Sequence, residues 1–228
     1  RRRHARADRP VDPVSPPPPG HRSGFVGIIG RPNVGKSTIL NYYLQEKIAI
    51  TSPHPQTTRQ RILGVLTRAD AQVMFIDSPG LRQSQHVLGR AMLETAKAIV
   101  EEADVLIAVV DGRRGLTEED RRVFDRLKTV PRPRVLAINK TDIAAKLRLL
   151  PLIKACAETG LFTDCIPVSA LTGEQMEVLL RQVIAQLPEG PRWYEPEHRT
   201  DQTTEQRIRE LIREPILLAF STASSEAA

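Results

Sequence analysis

Directly after an apolar run at residues 25–29 stands Gly30-Arg31-Pro32-Asn33-Val34-Gly35-Lys36-Ser37-Thr38, followed by a helical pattern. The spacing is G-x-x-x-x-G-K-S, in the strand–loop–helix setting in which such a loop wraps phosphate. Glycines at 30 and 35 let the backbone curl so that N–H groups converge on phosphate oxygens, and the helix N-terminus adds a favourable dipole. Lys36 is placed to reach the β- and γ-phosphates, and the Ser37 hydroxyl to coordinate Mg²⁺. By itself the loop specifies a nucleoside triphosphate and leaves the base open.

Asn139-Lys140-Thr141-Asp142, about a hundred residues later and again at the end of an apolar run (135–138), addresses the base. A carboxylate such as Asp142 accepts two hydrogen bonds from N1–H and the 2-amino group of guanine. Adenine offers neither donor in that arrangement and would leave the carboxylate unpaired, at roughly 1–3 kcal/mol or more. Lys140 is expected to lay its stem over the base, and Asn139 to tie two loops together. Three further strings fall where a guanine-nucleotide site needs them. Asp77-Ser78-Pro79-Gly80 follows the apolar run 73–76; Asp77 is placed to hold Mg²⁺ through a water, and the Gly80 N–H to sense the γ-phosphate. Loss of that phosphate would release the loop that follows. Gln56-Thr57-Thr58-Arg59 supplies a threonine for the metal, with Thr58 favoured over Thr57. Val168-Ser169-Ala170 offers backbone N–H groups to the guanine carbonyl. The metal set is thus Ser37, Thr58 and Asp77, and the catalytic set Lys36, Asn33, Thr58 and Gly80.

These motifs need strands that end at a common edge. Residues 25–29, 73–76, 105–110 and 135–138 are near-continuous apolar runs, as in strands buried on both faces of a parallel sheet. Residues 62–66 read as a more exposed strand and 165–168 as a short last one. Helical patterns at 37–45, 87–101, 118–127, 146–158 and 173–187 alternate with them. Thr117 before Glu118-Glu119-Asp120 is an N-cap with acidic residues in the first turn. The expected fold is α/β: a doubly wound, mostly parallel sheet of about six strands with helices on both faces. Residues 1–22 read as a solvated basic and proline-rich tail, 23–190 as the nucleotide domain, 191–220 as linker and connector helix, and 221–228 as a low-complexity end.

Residues 24–220 resemble the GTPase domain of the Era family. The resemblance is carried by 30–37, by Pro55-Gln56-Thr57-Thr58-Arg59, by 77–80, 139–142 and 168–170, and by Leu187-Pro188-Glu189-Gly190-Pro191. Residues 206–217 are similar to the family's connection toward its second domain. The resemblance implies a GTP- and GDP-binding switch that hydrolyses GTP, uses Mg²⁺ and acts in small ribosomal subunit assembly on 16S-type rRNA. Relatives acting on tRNA or the large subunit stand as the alternative, beside a bare module that binds nucleotide without reaching RNA. The family usually has Thr where Ser78 stands, and a helix-continuing residue where Pro215 stands, so a kink is expected there. The family's RNA-binding KH domain is not expected within these residues. The two G-x-x-G strings, at 27–30 and 112–115, read as strand and turn rather than as an RNA clamp.

Leu81 occupies the position at which other GTPases place a water-orienting glutamine, and leucine cannot position water. By resemblance to GTPases with Asn in the phosphate loop, Asn33 would offer an oxygen to K⁺, with the backbone around 51–56 completing the cage. The competing reading is that Asn33 bonds only its own loop.

Composition narrows the rest. The chain has 228 residues, 40% of them hydrophobic and 26% charged, enough for one globular core. No apolar run approaches the ~18 residues of a membrane span. The net charge is +6, but six arginines against Asp8 and Asp12 give residues 1–22 a charge of +4, leaving +2 for the rest. Bulk charge therefore identifies no partner. Cys156 and Cys165 read as inert buried thiols, the five histidines form no ligand set, and Trp193-Tyr194 is expected to pack on the domain. The Arg-rich start leaves a mitochondrial leader as the alternative to a cytoplasmic monomer. The stripe Ile208, Leu211, Ile212, Ile216, flanked by Arg207, Arg209 and Arg213, suggests peripheral membrane contact as the alternative to a connector helix.

Overall fold

A computed structural model describes residues 13–14, 18–49, 62–77, 98–209, 212, 213 and 215. The expectations for Gln56, Thr57, Thr58, Arg59, Ser78, Pro79, Gly80 and Leu81, and for most of the helix at 87–101, lie outside these residues. Six strands form one sheet in the order β2-β3-β1-β4-β5-β6: β1 Arg22–Ile29, β2 Ile62–Thr67, β3 Ala71–Asp77, β4 Val105–Asp111, β5 Arg134–Asn139 and β6 Asp164–Pro167. Only β2 runs antiparallel, paired with β3; the other neighbours are parallel. The fold expected from the apolar runs is the fold observed.

Parallel strands need crossover helices: α1 Lys36–Leu44, α2 Glu118–Leu127 and α3 Lys146–Ala157 lie in connections between strands, and α4 Met176–Gln186 follows β6 and packs back on the sheet. Alternate residues of each strand face opposite layers. Val26 and Ile28 of β1 join Ile39, Leu40 and Tyr43 of α1 and Leu179, Val183 and Ile184 of α4. Ile29, with Leu106 and Ala108 of β4, packs against Val123, Phe124 and Leu127 of α2 and Leu152 and Cys156 of α3. Residues 98–102 are helical, and Ile99 sits with Phe25, Leu63, Val65 and Met74 in a third cluster. Thr117 does cap α2, through a capping box with Asp120. Helix α4 begins three residues later than periodicity suggests, because Gly173 and Gln175 hold left-handed φ values of 87° and 57°.

Two boundaries differ from expectation. Residues 18–20 are exposed, as in a tail, but the two that follow are packed on the domain: His21 is buried, its Nδ1 bonds the Gly190 carbonyl at 2.8 Å, and Arg22 bonds the Leu187 carbonyl. The segment 187–202 is not a free linker but a strap across the sheet. Ser23 N donates to Pro188 O, and the Gln72 side chain bonds the backbone of both Trp193 and Tyr194. Farther along, Val65 N donates to Arg199 O at 2.8 Å and Thr200 Oγ1 to Leu63 O, so the strap covers the open edge of β2. An edge strand presents unpaired backbone groups, and these contacts satisfy some of them. Pro215 itself carries helical backbone, as do Ile212 and Arg213; the neighbours that would show a kink, Glu214 and 216–220, are outside the described residues.

Candidate functional site

The parallel strands end on one edge of the sheet, and the chemistry collects there. Register pairs Ile28 of β1 with Asp77 of β3, Asp111 of β4 with Asn139 of β5, and Ile138 with Pro167 of β6. Residues 30–38, 139–142 and 168–170 leave from that edge, at the crevice where doubly wound sheets hold ligands.

The phosphate loop is shaped by close approach. A Cβ on Gly30 would lie 2.6 Å from the Val109 carbonyl, and one on Gly35, which sits at φ +99°, would lie 2.2 Å from Asn139 Nδ2. Asn33 is also left-handed, at φ 63°, a conformation that asparagine tolerates better than most residues. Lys36 is buried and its Nζ donates to the Arg31 carbonyl at 3.0 Å. Burial, helped by the nearby Arg31 charge and opposed by Asp77, lowers its pKa to about 8. A buried ammonium held on a carbonyl at the mouth of a curled loop is a cation prepared for an anion. Ser37 Oγ donates to Asp77 Oδ2 at 2.7 Å, with both residues buried. The Arg31 guanidinium pairs through Nε with Asp120 on α2 at 3.2 Å.

The base side is a lattice of hydrogen bonds. Asn139 Nδ2 donates to Val34 O at 2.8 Å while its Oδ1 accepts from Ala170 N at 3.0 Å. One amide therefore ties the phosphate loop to the loop after β6. Lys140, at φ 68°, donates from Nζ to the Asn33 carbonyl at 2.6 Å and to Asp111 Oδ2 at 2.9 Å. Burial works to raise the Asp111 pKa, but the Lys140 bond and charge, with Arg113, outweigh it and hold the carboxyl below its usual value. Asp142 Oδ1 accepts from Ser169 Oγ at 2.7 Å, and Thr141 Oγ1 donates to Glu174 Oε2 at 2.9 Å. The 168–170 backbone is bound into the same lattice. Val168 N donates to Ile138 O, Ser169 N to Glu174 O and Ala170 N to Asn139, so each N–H is engaged internally. What Ser169 brings to the site is its hydroxyl, set on Asp142.

Reading the motifs missed Asp111, which holds Lys140, and the Arg31–Asp120 pair. Asp111 had a usable signal, since it ends an apolar strand as Asp77 and Asn139 do. Of the smaller expectations, Gly112–Gly115 forms a turn, with Arg114 N and Gly115 N both bonded to the Asp111 carbonyl. Trp193 and Tyr194 pack on the third cluster. Burial raises the pKa of both thiols, that of Cys156 to about 12. Among the described residues no group of three His, Cys, Asp or Glu could hold a metal, and no helix is long and apolar enough to cross a membrane.

A phosphate loop on β1, a carboxylate on β3 and an N-K-x-D loop on β5 of this sheet define a P-loop nucleotide-binding domain of the GTPase class. The family described as 50S ribosome-binding GTPase matches residues 25–140. Two similar curated proteins are GTPase Era of a Thermoanaerobacter species, 40% identical over 198 residues (87% of the chain, 66% of the relative), and GTPase Era of Crocosphaera subtropica, 44% identical over 204 residues (88% and 64%). The chain belongs to the Era family of GTPases. It spans about two thirds of the length of these relatives. Among solved structures, Era in complex with MgGDPNP and nucleotides 1506–1542 of 16S ribosomal RNA superposes with TM-score 0.82 at 36% identity, covering 85% of this chain and 66% of that one. An Aquifex aeolicus Era variant bound to GDP·AlF4⁻ gives 0.81 at 37%, with the same coverage. The FeoB G-domain of Methanococcus jannaschii, at 23% identity and TM-score 0.55, shares the fold over 72% of this chain and 97% of its own.

Proposed function

We propose that this chain is a guanine-nucleotide switch that binds GTP and GDP and hydrolyses GTP in the course of small ribosomal subunit assembly. The observation that carries the reading is Asn139, whose single side chain joins a loop suited to phosphate to a loop suited to guanine. Lys36 would leave the Arg31 carbonyl for β- and γ-phosphate oxygens, where an anion offsets the cost of its burial. Asp142, oriented by Ser169, would accept from the guanine N1–H and 2-amino group. Lys140, pinned at its head by Asp111 and the Asn33 carbonyl, would present its stem to the base.

The Ser37 hydroxyl and Asp77 carboxylate, two buried hard-oxygen donors 2.7 Å apart beside Lys36, fit Mg²⁺. When bound, the ion neutralises charge on the β- and γ-phosphates. Thr58 would be its third protein contact, and Gly80 would read the γ-phosphate. With Leu81 unable to orient water, Asn33 would hold K⁺ beside the phosphates. The small-subunit reading draws on the 16S RNA bound by the similar Era structure; clients among tRNA or the large subunit are the competing reading.

Competition binding with GTP, ATP and XTP tests the base assignment. Wild type should prefer GTP. Asp142→Asn should lose GTP by roughly a hundredfold or more and gain XTP, because the amide now donates to the 2-oxo group. Tight ATP binding by the wild type would sink the reading. Gel shifts with a 16S 3′-end fragment and with tRNA test the client, and selective tRNA binding would overturn the small-subunit role.

A further inference from the structure

Arg31 lies in the middle of a loop built for anions, yet its charge is spent elsewhere. The residue is 5% exposed and its partner Asp120 only 1%. Arg31 Nε lies 3.2 Å from each Asp120 carboxylate oxygen, and Nη1 reaches the Pro32 carbonyl at 3.4 Å. The same carboxylate accepts from Thr117 N at 2.9 Å and Thr117 Oγ1 at 2.7 Å, while Asp120 N donates to Thr117 Oγ1 at 3.3 Å. The capping box of α2 and the second residue of the phosphate loop therefore share one buried anion. On the other side of Arg31, its carbonyl is the acceptor that holds Lys36 Nζ at 3.0 Å.

A buried carboxylate whose Oδ2 accepts from three N–H and O–H donors cannot shift without breaking the cap, so it makes a stiff anchor. The loop it grips takes left-handed backbone twice, at Asn33 (φ 63°) and Gly35 (φ 99°). We propose that Arg31 is a positioning residue: the Arg31–Asp120 ion pair anchors the phosphate loop to the N-terminus of α2 and thereby sets the carbonyl that orients Lys36. The assignment rests on reading 30–38 as the phosphate site. It makes α2 a mechanical support of that site, although α2 carries no nucleotide motif.

The test compares Arg31→Gln, Arg31→Lys, Asp120→Asn and the Arg31→Gln/Asp120→Asn double variant with wild type. Two readouts are taken below each protein's thermal midpoint: amide hydrogen exchange of residues 30–37 without nucleotide, and GDP affinity by calorimetry. Either neutralising single variant should speed exchange in 30–37 by about tenfold while leaving the β5 segment 134–139 unchanged, and should weaken GDP by about tenfold. The double variant should recover part of both losses, since it leaves no uncompensated buried charge, and Arg31→Lys should lose less than Arg31→Gln. Unchanged exchange in 30–37 together with unchanged GDP affinity overturns the proposal, even if thermal stability falls. Should Asp120→Asn fail to fold, Arg31→Lys and Arg31→Gln decide by the same two readouts. A wild type that fails to bind GDP, while exchange responds as stated, would remove the functional reading and keep the anchor.

Discussion

The two sides of the nucleotide site are built by opposite means. The base side is knit from short polar bonds between strand-end loops: Asn139 to Val34 and Ala170, Lys140 to Asn33 and Asp111, Ser169 to Asp142. The phosphate side instead holds its buried cation, Lys36, on a carbonyl, where burial lowers its pKa. The contrast follows from the ligand. A base is recognised by fixed donors and acceptors, so its pocket gains from being preassembled. A polyphosphate brings its own charge, so its pocket can hold a cation at a cost that binding then repays.

Removing the cation should break the contrast most severely. Lys36→Ala should weaken GTP and GDP by at least about a hundredfold while improving the nucleotide-free fold, because a desolvated charge disappears. Calorimetry and thermal unfolding of the same sample check both directions, and a drop in apo stability would show that Lys36 serves the fold. Asn139→Ala should hurt both sides together. It strands Val34 O and Ala170 N in buried surroundings, costing roughly 2–4 kcal/mol of stability, with GTP weakened about tenfold or more. Denaturant unfolding beside GTP titration measures the two losses.

A smaller effect is expected from the monovalent ion. GTP hydrolysis should run roughly tenfold faster in K⁺ than in Na⁺ at equal ionic strength, and Asn33→Ala should abolish the difference. Equal wild-type rates would leave Asn33 as a turn residue.

The smallest effect lies outside the site. Burial, with Cys165 and Asp120 adding to it, raises Cys156 from an ordinary 9.0 to about 12, so Cys156 should resist iodoacetamide at pH 8 until the protein unfolds. A thiol with a raised folded pKa ionises first in the unfolded chain. Its contribution to stability is therefore intact below pH 9 and declines as pH rises from 9.0 toward 12.

How much of this could be read from residue order depends on the kind of interaction. Apolar runs located β1, β3, β4 and β5 to within a few residues, since strands buried on both faces leave an unbroken hydrophobic signature, while β2, expected to be more exposed, is buried at Ile62–Val65. The capping box at Thr117 was legible too, because a cap is local. Asn139 and Lys36 were found by spacing. What stayed hidden was long-range and polar. Arg31 and Asp120 are 89 residues apart, and each taken singly resembles a solvated charge. His21 and the 187–202 strap were missed for a related reason: their contacts run largely through backbone groups, which every residue possesses and no pattern marks.

That strap bears on where the domain can be cut. A protein trimmed at residue 190, the boundary that composition suggests, would lose Trp193 and Tyr194 from the third cluster, and Arg199 and Thr200 from beside β2. The severed molecule would display a bare strand next to an uncovered apolar cluster, the combination that lets one copy zip onto the next. A shortened version meant to stay monodisperse should keep the chain through Gln202, whose backbone N–H closes the last turn of the strap on Thr200.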